Sequence, residues 1–380
     1  MRHFSFLPDS VLAEIFHRVP ETMGPSSDPE LLAVALGATL YSPGTRTTLA
    51  DDVLKAGSRG CFSQVLCLED SIPDKELDMA EENVLDALRT LNATHGHQPD
   101  SELPMLFVRV RNPAQMVSLA RRGGDALNVL TGFTLPKFEN DTGLGQRYFD
   151  SLAEIHRFRE ADDATKSAAR FKLMPILESP SIIHVETRTQ TLTRVVEVIK
   201  KHREDVLAVR IGATDFSSVF GLRRPRELTI YDVQVVASVI SDIVNVLGRP
   251  EDGLIITGPV WEHFTHDVST GSGHHSGNLA SLSREIRLDH ANGLLGKTVI
   301  HPTHVPLVNA LSVVSHEEFM DASDIVNADH DGAMASSYSN KMNEIKPHRA
   351  WAERTLLRAA AFGVAAPGTT FIDLLEASPR

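Results

Sequence analysis

From about residue 31 to residue 314, short runs of consecutive apolar residues alternate with longer stretches in which apolar residues recur every three or four positions. The short runs predict strands buried on both faces and the longer stretches predict amphipathic helices, so their alternation implies parallel strands joined by crossover helices. Eight strands are read, over Leu31–Gly44, Ser63–Asp70, Leu103–Asn112, Gly132–Asn140, Lys172–Ser179, Val206–Phe216, Gly253–Val260 and Gly296–His301. Local signals mark the helices between them. Acidic residues open DKELDMAEENVLDALRTL, where they complement the positive end of the helix dipole, and Pro113 opens PAQMVSLARR at the first helical position. The helix THVPLVNALSVV closes the eighth unit at Val314, which predicts a (β/α)8 TIM barrel with a C-terminal helical extension.

The chain divides on this reading into an N-terminal segment (1–27), a barrel (28–314) and an extension (315–380). The extension holds two helices, HEEFMDASDIVNA and HRAWAERTLLRAAAFG, around a polar loop, and the helix near Trp351 is an expected subunit contact. The stretch from Trp261 to Asn278 is polar and glycine-rich, which predicts a loop after the seventh strand.

Composition narrows the function. Thirty-seven Lys and Arg against fifty Asp and Glu give a net charge of −13, which argues against a nucleic-acid surface. No apolar run reaches membrane-spanning length, the N-terminus has no secretory pattern, and the two cysteines, Cys61 and Cys67, lie in an apolar context. A reduced, cytoplasmic setting is therefore expected. GLLGKT near Gly296 is not a phosphate-binding loop, because the first glycine of that pattern falls at Ala291.

In a parallel barrel, chemistry gathers where the strands end, so charged residues closing apolar runs are the candidates. These are Glu69, Asp70, Arg109, Arg111, Lys137, Glu139, Glu178, Asp215 and His301. Glu178 and Asp215 come from neighbouring strands and offer the oxygen ligands that Mg2+ prefers. Such an ion leaves positions for a 2-oxoacid, whose carbonyl it polarises while stabilising the enolate formed on bond cleavage. Arg109 and Arg111, two apart on one strand, are expected to share a face and grip a substrate carboxylate. Lys137 and His301 are read as further substrate-binding residues, with a structural ion pair the competing role for Lys137. His263, His266, His274 and His275 match no zinc spacing.

These strand ends also carry a resemblance. CLEDSIPDK, FVRVRNP, LPKFE, PILES, IGATDF and GLLGKTVIHPTHVPLVN occur in the order of corresponding motifs in the HpcH/HpaI aldolase and citrate lyase β-subunit superfamily, over about Leu40 to Asn309. The resemblance implies a Mg2+-dependent carbon–carbon lyase or aldolase with metal on Glu178 and Asp215. It implies a carboxylate-binding arginine at Arg109, with Arg111 the alternative, and an acidic pair at Glu69 and Asp70 lining the site. A trimer or hexamer and a small oxoacid or carboxylate substrate are implied as well. The segment Glu178-Ser-Pro-Ser and the pair Thr214-Asp215 depart from the superfamily pattern and point to its divergent C–C bond lyase branch rather than to a coenzyme A thioester substrate. Two other readings stay open on sequence: a phosphoenolpyruvate-type Mg2+ barrel enzyme, and a non-catalytic citrate lyase β-like subunit.

Overall fold

The computed structural model describes residues 1–96, 103–264 and 273–378. Eight parallel strands close into a barrel in chain order. They are β1 (Ala38–Pro43), β2 (Ser63–Cys67), β3 (Met105–Arg109), β4 (Leu130–Leu135), β5 (Lys172–Leu177), β6 (Val209–Ile211), β7 (Ile256–Trp261) and β8 (Lys297–Val299). Closure is explicit at β1, where Thr39 pairs with Ser63 of β2 on one side and Thr298 of β8 on the other. Alternate residues face outward against the helices, as Val108, Phe133, Leu173 and Val209 do, and all are essentially buried. Their neighbours along each strand fill the barrel interior.

The first expected strand begins too early. Residues Leu31 to Ala35 lie in a helix, Pro29–Ala35, capped by Asp28, whose side chain accepts from the Glu30 N–H at 3.3 Å. This helix is apolar nearly all round because it forms the barrel floor. Ala33, Val34 and Leu36 pack there with Met23, Phe62, Phe107, Met174 and Phe362. His3 joins the same layer, its ring between Phe62 (4.5 Å) and Phe362 (4.2 Å) and its Nε2 at 2.8 Å from the Ala35 carbonyl. Burial lowers the His3 pKa to about 4.

The segments that flank the barrel in sequence meet beneath it. Phe16–Arg18 pairs antiparallel with Val364–Ala365. Helices His316–Asn327 and Ile345–Phe362 pack together, with a short hairpin, Ala333–Ala335 and Met342–Glu344, between them in sequence. Trp351 is 42% exposed.

A second departure concerns the glycine-rich stretch. A helix spans Gly273–Ala291, so its N-terminal end runs into the segment expected to be loop, while His266 lies outside the described residues. The well-packed part of this helix carries a buried ionic network. Lys297 Nζ meets Glu285 at 2.9 Å and Asp289 at 2.7 Å, Arg224 pairs with Glu285, and Tyr231 donates to Asp289 at 2.8 Å. Two cations thus balance two carboxylates, which burial requires. Both cysteines are buried and unbridged, and no helix among the described residues is long and apolar enough to cross a membrane.

Candidate active site

The residues that follow β2, β3, β4, β5 and β6 converge at the C-terminal mouth of the barrel. Arg109, the last residue of β3, reaches three carboxylates through Nη2: Glu69 at 2.7 Å, Asp70 at 3.1 Å and Glu178 at 2.9 Å. It is nearly buried, and its Nε has no hydrogen-bond partner among the described residues. Lys137, just beyond β4, contributes twice. Its positive φ of 49°, a costly conformation for a residue with a side chain, accompanies a backbone N–H that donates to Glu178 Oε1 at 2.8 Å. Its ammonium meets Glu69 at 2.6 Å and Asp70 at 3.5 Å.

Asp215 was expected at a strand end. Instead β6 stops at Ile211, and Asp215 lies in the first turn of a helix, Ala213–Val219. That turn still delivers it to the mouth, because Asp70, Glu178 and Asp215 each place a carboxylate oxygen within 4.8 Å of the others. Gly212 makes the approach possible: a Cβ there would lie 2.3 Å from Glu178 Oε2. Asp70 therefore stands with the two expected metal ligands, a grouping that its place in CLEDSIPDK did not reveal.

Crowding of like charges shows in the acidities. Burial, together with the Asp215 charge, pushes the Glu178 carboxyl up to about 7 even though Arg109 opposes the shift. Burial and the neighbouring Asp70 also raise Asp215. Burial raises Glu69 as well, whereas for Asp70 it is outweighed by the Glu69 hydrogen bond and by Arg109 and Lys137, leaving that carboxyl below the usual range. The four carboxylates face two cations, Arg109 and Lys137. When all are ionised, the excess of two negative charges is what a divalent cation balances, and an all-oxygen donor set suits Mg2+.

Other candidates lie elsewhere. Arg111 does not share the face of Arg109: β3 ends at Arg109, and beyond it the Arg111 guanidinium turns to the Leu68 carbonyl (2.7 Å) and the exposed Asp74. Glu139 accepts from the backbone and hydroxyl of Thr142 and fixes a turn. His301, after β8, stacks on Phe264 at 4.8 Å and bonds to Thr303 at 2.7 Å. His263 lies 3.3 Å from the Arg224 carbonyl. One charged residue escaped the sequence reading altogether: Arg210, in the middle of β6, is 1% exposed inside the barrel.

The family model described as C–C bond lyase of the TIM-barrel fold matches residues 30–364, most of the chain. The chain belongs to this family. Among solved structures, the lyase is similar to a citrate lyase from Burkholderia xenovorans LB400, with TM-score 0.63 and 17% identity over 89% of this chain and 96% of that one. It is also similar to CitE from Mycobacterium tuberculosis in complex with magnesium, acetoacetate and coenzyme A, with TM-score 0.54 and 19% identity over 86% of this chain and 99% of that one. Identities this low show a shared fold. No curated protein matches the lyase significantly.

Proposed function

We propose that the lyase makes or breaks a carbon–carbon bond in a 2-oxoacid-derived carboxylate and depends on Mg2+ held by Asp70, Glu178 and Asp215. The observation that carries this reading is the convergence of those three carboxylates within 4.8 Å at the barrel mouth. The raised pKa values of Glu178 and Asp215 agree with it, since burial and a neighbouring carboxylate both disfavour their ionised forms unless a cation is at hand. The similar Mycobacterium tuberculosis protein was solved with magnesium and a carboxylate, acetoacetate. Bound there, Mg2+ supplies a Lewis acid that polarises a carbonyl and disperses developing negative charge.

The chain's own residues do the positioning. Arg109 Nη2 gathers Glu69, Asp70 and Glu178 into one array. The Lys137 amide donates to the same Glu178 oxygen, Oε1, as Arg109 does, and the Lys137 ammonium holds Glu69. Such fixed groups have little reorganisation to undergo as charge develops. Arg109 is also our candidate for gripping a substrate carboxylate, since its buried Nε has no hydrogen-bond partner among the described residues.

The test is calorimetric titration of metal-free protein with Mg2+, then with pyruvate, glyoxylate and oxaloacetate. Metal binding and metal-dependent oxoacid binding are expected, and both should vanish in Asp215→Ala. Oxoacid binding that ignores Mg2+, or wild-type metal affinity in Asp215→Ala, refutes the assignment.

A further inference from the structure

Arg210 crosses the barrel interior. Its Nη1 bonds to Thr39 Oγ1 at 3.2 Å on β1, its Nη2 to Thr298 Oγ1 at 2.6 Å on β8, and its guanidinium lies 5.5 Å from the Tyr41 ring centre. Tyr41 is a further hydrogen-bond partner, no carboxylate lies within ion-pair distance among the described residues, and Nε has no hydrogen-bond partner among them. A buried guanidinium left in this state is costly, because hydroxyls do not neutralise its charge.

Its position gives that cost a purpose. Arg210 pairs in register with Ile176, so it lies one interior layer below Gly212 and Glu178. The Arg109 charge is felt there, as it is at Tyr41. Further buried atoms without a partner among the described residues, Thr134 Oγ1 on β4 and Thr257 Oγ1 on β7, are polar groups on the interior faces of other barrel strands. Tyr41 and Thr298, whose side chains share this interior layer, are partly exposed, and Arg210 lies buried beside them.

We infer that Arg210 is a specificity-determining residue that receives a second carboxylate of the substrate, the one remote from the reacting carbonyl. This rests on the Mg2+ reading for the first end of the substrate. A planar guanidinium with donors on two edges suits a carboxylate, and neutralising it in a dry site favours a two-carboxylate oxoacid over its one-carboxylate analogue.

The experiment is titration of the Mg2+-loaded full-length protein with oxaloacetate and with pyruvate, for wild type, Arg210→Met and Arg210→Lys. Wild type should prefer oxaloacetate by about 10- to 100-fold, the range for a charge-assisted hydrogen-bond pair. Arg210→Met should bind Mg2+ and pyruvate as wild type does and lose the preference, while Arg210→Lys should keep part of it. Replacing a buried charge by an apolar side chain of similar size is usually tolerated, and a cooperative thermal transition confirms folding. If Arg210→Met does not fold, Arg210→Lys decides, and an undiminished preference in it overturns the inference. Equal wild-type binding of the two oxoacids, or a preference that survives in Arg210→Met, also overturns it. Should wild type bind no Mg2+, the metal reading fails by itself. Malonate against acetate then reports on Arg210 alone: malonate selectivity lost in Arg210→Met supports the inference, and no selectivity overturns it.

Discussion

Gly212→Ala tests the metal seat through a residue that is not itself a ligand. The new Cβ would lie 2.3 Å from Glu178 Oε2 and 2.4 Å from Glu178 Cβ. Ordinary contact requires a displacement of about 1 Å. Glu178 cannot yield freely, because its Oε1 is held by Arg109 at 2.9 Å and by the Lys137 amide at 2.8 Å. Either those charge-assisted bonds stretch, or the start of the Ala213–Val219 helix moves and carries Asp215 with it. Overpacking of this kind costs about 1–3 kcal/mol of stability, and disturbing the groups that orient metal ligands costs about 10- to 100-fold in metal affinity. Calorimetry should therefore show Mg2+ affinity reduced by at least tenfold, with a cooperative unfolding transition retained. Wild-type Mg2+ affinity in a folded Gly212→Ala protein would refute the argument that Glu178 and Asp215 are set by this close contact.

Two further outcomes concern stability. His3 is held neutral in the folded state, with a pKa lowered from 6.5 to about 4, so its contribution is intact above pH 6.5 and is lost as pH falls toward 4. At pH 5 the loss is about 2 kcal/mol; denaturant unfolding at pH 7 and pH 5 should show it, and His3→Phe should remove that part of the pH dependence. Lys297→Met leaves the fully buried Asp289 without a cation and Glu285 with Arg224 alone, and should destabilise the protein by about 3–5 kcal/mol in urea titrations. A loss under about 1 kcal/mol would show that the network relaxes or takes up protons instead.

The barrel was legible because its strands are buried on both faces and therefore read as unbroken apolar runs. The same rule misled at Leu31–Ala35, a plug helix buried all round. Its true signal was Asp28-Pro29, a cap followed by proline at the first helical position. Strand-end charges located Glu69, Asp70, Arg109, Lys137 and Glu178 at one mouth, but the sharing of Asp70 between Arg109 and the carboxylate trio depends on tertiary distances. Arg111 was misplaced because the two-residue period holds only while the strand lasts, and β3 ends at Arg109. Arg210 carried a usable signal, a cation in the middle of the apolar run VLAVRIG, which a search restricted to strand ends passes over.

The pairing of Phe16–Arg18 with Val364–Ala365 also bears on synthesis. Phe16–Arg18 leaves the ribosome before any barrel strand, yet its partner is made after all eight. Phe362, which covers the floor beside His3, is equally late. All eight barrel strands can be synthesised while the underside remains apolar and open, a period in which that surface is prone to aggregate or to need chaperone cover. The final latch closes only when the segments on either side of the barrel find each other, which makes Val364–Ala365 a determinant of yield as well as of shape.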